Sequence, residues 1–230
     1  MLTVKDLTVE YPDSKRAIDA VSFSIEAGEN VALVGANGAG KTSLLLALVG
    51  VLQAKHGEIH IGETIVEKKN LRKVRLQIGL VFQNPDDQLF MPSIFEDVAF
   101  GPRSYGYGAA ETEARVESAL SKLGIGHLAQ RSPLKLSSGE KRLAAIATVL
   151  AMEPDILLFD EPTAFLDPRA RRNLISILLD LPQSKLIATH DLSFAEQICS
   201  RVLLLQYGKL VADGSKTLLR DISKLEAAEL

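Results

Sequence analysis

Apolar and polar positions alternate through the first 35 residues in the manner of half-buried strands. Leu2, Val4, Leu7 and Val9 make the first run, which ends at Tyr11. Ala17–Ile25 makes the second, beyond a polar turn Pro12-Asp13-Ser14-Lys15-Arg16. Asn30–Val34 is a short β-rich run stopping at Gly35, and a glycine-dense segment then leads into an apolar helix from about Lys41 to Val51. Gly57–Ile61 and Ile78–Gln83 read as further strands. Between Asn84 and Glu153 the period becomes helical, over Ser93–Phe100, Glu111–Leu123 and Ser138–Met152. Past Pro154 the strands return. Ile156–Phe159 is continuously apolar, as buried parallel strands are, and a helix begins at Pro168 with Asp167 in the N-cap place. A strand at Lys185–Thr189, a helix after Asp191 and a strand pair, Arg201–Gln206 and Leu210–Ala212, turning at Tyr207-Gly208, complete the series. Strands alternating with helices predict a mainly parallel α/β core with a helical insert.

Composition narrows the class. In 230 residues, 47% are hydrophobic, enough for a sizeable core and against low-complexity disorder. Lys and Arg number 26 against 29 Asp and Glu, a net charge of −3 that does not suggest a general nucleic-acid binder. One cysteine, Cys199, excludes an intrachain disulfide, and no Cys/His cluster has zinc-site spacing. The N-terminus lacks the apolar centre of a secretion signal. The most apolar runs, Leu44–Leu52 and Leu143–Met152, fall short of the ~18–20 residues of a membrane helix. The expectation is one compact, soluble unit in a reducing compartment.

Gly35-Ala36-Asn37-Gly38-Ala39-Gly40-Lys41-Thr42 fits G-x-x-x-x-G-K-[ST] in full, after a β run and before an apolar helix. Glycines let backbone N–H groups wrap phosphate oxygens, and the helix start adds favourable potential for an anion. Lys41 would bridge the β- and γ-phosphates and the Thr42 hydroxyl would ligate Mg²⁺. The loop therefore predicts nucleoside triphosphate binding, without saying what the energy drives.

Ile156–Phe159 ends in Asp160-Glu161. Neighbouring strand residues point to opposite sides, so the two acids should have different tasks. Asp160 suits a second Mg²⁺ contact, and Glu161 suits orienting or deprotonating an attacking water. A helix cap or solvated turn before Pro162 is the alternative reading. Leu136-Ser137-Ser138-Gly139-Glu140 opens the apolar helix that follows it, with Ser137 and Glu140 in capping-box spacing. That helix start also reads as a second anion site, taking its phosphate from another copy's nucleotide. Local physics leaves both readings open.

Together these residues resemble an ABC-type nucleotide-binding domain over essentially the whole chain. The implied fold is a P-loop α/β ATPase. It has a RecA-like, mainly parallel sheet core with an antiparallel N-terminal β-subdomain (1–83 and 154–230) and an inserted helical subdomain (84–153), forming one domain over 1–230. The resemblance places Tyr11, 24 residues ahead of the phosphate loop, against adenine. It gives Gly35, Ala36, Asn37, Gly38, Ala39, Gly40, Lys41, Thr42 and Ser43 to the nucleotide, and Thr42, Gln83 and Asp160 to Mg²⁺. Glu161, His190 and Gln83 become the catalytic set. Ser137 and Gly139 become the signature contact to the partner's ATP, and Ala164-Phe165-Leu166-Asp167 the loop crossing the dimer interface. The chain departs from the family pattern at Ser138 and Glu140, and has Leu143 where an arginine is usual, with Arg142 one place earlier. No N-K-x-D motif is present, so ATP is favoured over GTP.

The text Phe82-Gln83-Asn84-Pro85-Asp86-Asp87-Gln88-Leu89-Phe90, then Glu96-Asp97-Val98-Ala99-Phe100-Gly101-Pro102, resembles energy-coupling-factor ATPases, particularly the cobalt/nickel branch. A local reading sees only an acidic turn and a helix capped by Ser93 with Glu96. The resemblance implies a homodimer, or a heterodimer with a related ATPase, at the cytoplasmic face of the cell membrane. There it would serve a transmembrane coupling subunit and a substrate-binding membrane subunit, with no nucleic acid. Vitamin importers such as biotin systems share much of this text, and a non-transport assembly ATPase would look similar in its core. The brief C-terminal stretch, with possible short helices at Ser215–Arg220 and Ile222–Leu230, implies weak dimerisation without ATP or membrane partner.

Overall fold

The computed structural model describes residues 1–12 and 16–227. The alternating N-terminal runs pair with each other. β1 (Leu2–Glu10) and β2 (Arg16–Ile25) lie antiparallel, Leu2 opposite Ile25 and Val9 opposite Ile18. Residues 13–15 of the intervening polar turn fall outside the described residues. β3 (Asn30–Val34) leads through the glycine-dense loop into α1 (Lys41–Leu48). β4 (His56–Ile61) then pairs with the other side of β1, and β5 (Thr64–Ile65) with β4, giving an antiparallel sheet in the order β2-β1-β4-β5.

α1 ends three residues before the helix expected from apolarity alone. Gly50 adopts φ 69° and donates its N–H to the Ala47 carbonyl, closing the helix. A Cβ at Gly50 would lie 2.2 Å from Leu71 Cδ2, so this turn also needs the space. Leu71 opens α2 (Leu71–Gln77), a short basic helix that hydrophobic periodicity did not reveal, because only Val74 in it is fully buried. β6 (Ile78–Val81) follows.

α3 (Ile94–Ser104), α4 (Ala109–Lys122) and α5 (Ser138–Leu150) come next. α3 runs past Phe100 and contains Pro102 near its end. A Cβ at Gly101 would meet Met152 Sδ at 2.9 Å, so glycine lets this end of α3 lie against the segment after α5. The Ser93 hydroxyl accepts from the Glu96 N–H as expected, but the Glu96 carboxylate is paired with Arg103 instead of completing a capping box. β7 (Ile156–Asp160), α6 (Pro168–Asp180), β8 (Ser184–Thr189), α7 (Leu192–Ile198), β9 (Arg201–Gln206), β10 (Lys209–Ser215) and α8 (Ile222–Ala227) complete the chain. The last part of the expected terminal helix, 228–230, lies outside the described residues.

Six strands form the second sheet, in the order β10-β9-β3-β8-β7-β6. β3 is parallel to β8 and β9, and β7 to β8, whereas β10 returns antiparallel to β9. The register sets Val34 beside Thr189 and Asp160 beside Ala188. The residues that follow β3, β7 and β8 thus leave the sheet at the same edge, the carboxyl end where open α/β sheets place their ligands.

The elements group into two compact units. One comprises Met1–Leu80, Asp155–Glu161 and Pro182–Leu230; the other comprises Val81–Pro154 and Pro162–Leu181. The first holds both sheets on one apolar core, in which Leu7, Ile18 and Ile25 join Leu33, Leu44, Leu48 and Leu158. The second packs α3, α4 and α5 on one another and α6 on α5. Among the described residues, no helix is long and apolar enough to cross a membrane.

Candidate functional site

In the sheet-bearing unit the phosphate loop has the backbone its sequence demands. Gly38 and Gly40 take φ 83° and 108°, where a side chain is strained. A Cβ at Gly35 would lie 2.3 Å from the Leu205 carbonyl oxygen, and one at Gly40 2.6 Å from that of Ala17. The loop is therefore pressed against β9 and β2 at those two points, while Asn37 and Gly38 are exposed between them. The Ala39 carbonyl is held by the Gly208 N–H at 2.9 Å. No side chain caps α1 and no acid sits in its first turn. Its first-turn N–H groups are thus left without a capping side chain, as a phosphate site requires.

Lys41 is 6% exposed. Its ammonium donates to the carbonyls of Gly35 (2.7 Å) and Ala36 (3.2 Å) and lies 3.5 Å from Glu161 Oε1. The Thr42 hydroxyl donates to Asp160 Oδ2 at 2.7 Å. Ser43 Oγ and the Tyr11 phenol share a hydrogen bond of 2.9 Å, so the aromatic lies beside the first turn of α1.

The two consecutive acids do not simply point to opposite faces of a strand. Glu161 has left β7 and taken φ 43°, turning its carboxyl back toward the phosphate loop. Its N–H donates to the Ala188 carbonyl (2.8 Å), which ties the turn to β8. Glu161 Oε2 accepts from the Thr189 hydroxyl (3.1 Å) and the His190 N–H (3.3 Å). Glu161 Oε1 lies 2.9 Å from His190 Nδ1, and the His190 ring is largely exposed on its other side. The tasks of the acids still differ by partner: Asp160 meets Thr42, Glu161 meets Lys41 and His190. The Thr42 hydroxyl and Asp160 carboxylate are hard oxygen donors side by side, a set that fits Mg²⁺. Among the described residues, no group of three or more His, Cys, Asp or Glu forms a transition-metal-like cluster.

In the helical unit, Ser137 caps α5 in a complete capping box. Its N–H and Oγ donate to Glu140 Oε2 at 2.8 Å each, and its Oγ accepts from the Glu140 N–H. The bonds from Ser137 hold the Glu140 carboxyl below the usual carboxylate range. Gly139 cannot be replaced freely, since a Cβ there would meet Ala170 Cβ at 2.9 Å. Ser137 and Gly139 line a cleft of about 650 Å³ together with Asp167, which caps α6 through the N–H groups of Arg169 and Ala170.

Gln83 belongs to this unit, and here the strand reading fails. β6 stops at Val81 because the next two residues are drawn onto α5 by side chains. Arg142, 1% exposed, donates to the carbonyls of Phe82 (2.7 Å) and Gln83 (2.6 Å). The arginine displaced by one place from the usual pattern thus does have an anchoring contact. Sequence reasoning missed Gln88, whose Oε1 accepts from the Phe82 N–H and whose amide donates to the Ala145 carbonyl and Thr148 hydroxyl, both at 2.8 Å.

A glycine-rich loop at a strand–helix junction, with Lys and Thr on it and a strand-end acid on the Thr, defines a P-loop nucleoside triphosphatase. The chain belongs to the ABC transporter family, whose sequence model matches residues 18–164. A Geobacter sulfurreducens protein bearing the provisional name of an ABC transporter ATP-binding protein is 50% identical over 214 residues, 93% of this chain and 86% of its own. The energy-coupling factor transporter ATP-binding protein EcfA of Carboxydothermus hydrogenoformans is 43% identical over 97% of this chain and 84% of its own. Among solved structures, cbiO1 of Clostridium perfringens, part of the ABC transporter complex cbiONQ, superposes with a TM-score of 0.86. It has 34% identity, over 98% of this chain and 94% of the other. An ATP-binding cassette solved as a dimer in a post-hydrolysis state with ADP and Pi superposes at 0.83 with 25% identity, over 94% of this chain and 99% of the other. The fold is that of an ABC ATPase and the protein is an ATP-hydrolysing enzyme of that family. Within it, the similarity is to energy-coupling-factor ATP-binding proteins, as the text after Gln83 implied.

Proposed function

We propose that this chain is the ATPase subunit of an energy-coupling-factor importer. It works as a dimer with itself or a related ATPase, peripheral to the cytoplasmic face of the cell membrane, on a transmembrane coupling subunit and a substrate-binding membrane subunit. In this reading each of two Mg·ATP sites takes Tyr11, Gly35 to Ser43, Gln83, Asp160, Glu161 and His190 from one chain, and Ser137 and Gly139 from the other. A bound phosphate would take the Lys41 ammonium from the Gly35 and Ala36 carbonyls. Thr42, Asp160 and Gln83 would hold Mg²⁺, which supplies charge neutralisation on the phosphates. Glu161, held by Thr189 and His190, would accept the proton of the attacking water.

The observation that carries the transporter reading is an exposed aromatic pair in the text most like energy-coupling ATPases. Phe90 and Phe100 are 63% and 47% exposed and meet edge-to-face at 5.1 Å. The Phe90 and Met91 N–H groups both donate to Asp97 Oδ1 at 2.9 Å, so the loop presenting the pair is fixed. Rigid exposed aromatics suit an apolar helix from a membrane subunit. Cobalt or nickel ions are the favoured cargo, by the resemblance of the Phe82–Phe90 and Glu96–Pro102 text to the cobalt/nickel branch.

Affinity purification of the chain from detergent extracts of its native membrane tests this. Recovery of an integral membrane subunit supports the reading, whereas a soluble complex alone would indicate an assembly ATPase. Uptake of labelled cobalt or nickel ions against labelled biotin by cells expressing the recovered subunits then separates the cargoes.

A further inference from the structure

Phe82 and Gln83 have left the sheet, and their backbone polar groups are taken by two side chains. Gln88 covers the Phe82 N–H, and Arg142 covers the Phe82 and Gln83 carbonyls. Gln88 is bonded at its other end to the Ala145 carbonyl and the Thr148 hydroxyl, while Arg142 is itself a residue of α5. Three residues of one helix therefore hold two residues of an irregular segment, Arg142 directly and Ala145 and Thr148 through Gln88. The same helix carries Ser137 and Gly139 at its start.

A buried guanidinium can satisfy two carbonyls only from a fixed position, and its fork geometry makes that position directional. An amide with both ends bonded has little freedom left. We propose that Gln88 and Arg142 are positioning residues for Gln83. They fasten its backbone to α5, so that the Gln83 side chain is presented to the metal and attacking water from a fixed backbone. The inference rests on the reading in which Gln83 makes that contact. It adds the means by which Gln83 is aimed, and assigns the work to Gln88, a residue of the acidic turn.

The test uses the full chain and compares Gln88→Met, which keeps side-chain volume, with Gln83→Ala, the double variant and Arg142→Lys. Gln88→Met is expected to lower kcat about tenfold and to raise the Mg²⁺ concentration at half-maximal rate, as loss of a group that orients a metal ligand does. The KM for ATP should stay within about twofold and the melting temperature should hardly move. In the Gln83→Ala background the same substitution should add no further loss, because both act through one group. Arg142→Lys, which replaces the two-nitrogen fork with a single ammonium nitrogen, should fall between wild type and Gln88→Met in its Mg²⁺ requirement. A loss that multiplies in the double variant, or one that follows melting temperature with the Mg²⁺ profile unchanged, overturns the clamp alone. A harmless Gln83→Ala overturns the role of Gln83 itself, and the clamp with it.

Discussion

The deepest charge in the sheet-bearing unit lies far along the strands from the phosphate loop. Lys185, opposite Asn30 at the start of β8, is 1% exposed; its ammonium donates to the Gln183 carbonyl at 2.8 Å and to Asn30 Oδ1 at 3.3 Å. Burial lowers its pKa from 10.5 to about 8. The nearby thiol of Cys199 is driven the other way, also by burial, from 9.0 to about 12. Between about pH 8 and 10.5 the unfolded chain holds a proton on Lys185 that the folded chain has shed. Stability therefore rises with pH across that window, by about 3 kcal/mol in all, at roughly a tenfold gain in folding equilibrium per unit. For Cys199 the folded chain keeps a proton that the unfolded chain loses, so its contribution falls as pH rises from 9 toward 12. Wild type should thus gain stability from about pH 8 to 9, level off while the two oppose each other, and decline above about 10.5. Lys185→Met should abolish the gain and begin its decline near pH 9. Cys199→Ala should extend the gain toward pH 10.5. Urea unfolding at half-unit steps from pH 7 to 11 reads all three curves. If Lys185→Met and wild type run parallel between pH 7.5 and 9, the buried lysine is not titrating as argued.

Three further outcomes follow from the site. Glu161→Gln should bind ATP with near-native affinity and accumulate as a nucleotide-dependent dimer by light scattering, while phosphate release drops by more than about a hundredfold; substantial turnover would remove Glu161 as the base. Gly40→Ala meets both φ 108° and the Ala17 carbonyl, and should cost about 1–3 kcal/mol in thermal unfolding and weaken ATP binding in calorimetry. Asp167→Ala removes the α6 cap and should lower the melting temperature at pH 7. Because the Ala170 and Arg169 N–H groups hold the Asp167 carboxyl below its usual range, this difference should shrink as the pH drops through that lowered value.

Much of the fold was legible because burial and periodicity agreed. β3 and β9 occupy the residues expected, and the Ser137 box was written in its spacing. What was not legible has physical reasons. α2 buries only Val74 fully, so it leaves almost no periodic trace. The strand expected to reach Gln83 looked continuous because Phe82 and Gln83 would suit a sheet; the side chain that removes them from it, Arg142, lies 60 and 59 residues away. No propensity marks Glu161 for a left-handed turn, and only the ties to Ala188, Thr189 and His190 make that conformation tenable. An arginine among the apolar residues of α5 was the one visible hint that something polar must lie beneath it.

The internal satisfaction of Lys41 bears on inhibitor chemistry. Its ammonium is held by two loop carbonyls and faces a buried carboxylate, so an anionic competitor meets a preformed set of bonds where an open loop would offer only solvent. Such a compound must exchange partners in kind, and a neutral isostere of phosphate has nothing to offer in return. On the proposed function, selective ligands for this loop will need charge where the γ-phosphate would sit, or must leave the lysine where it rests and bind around it.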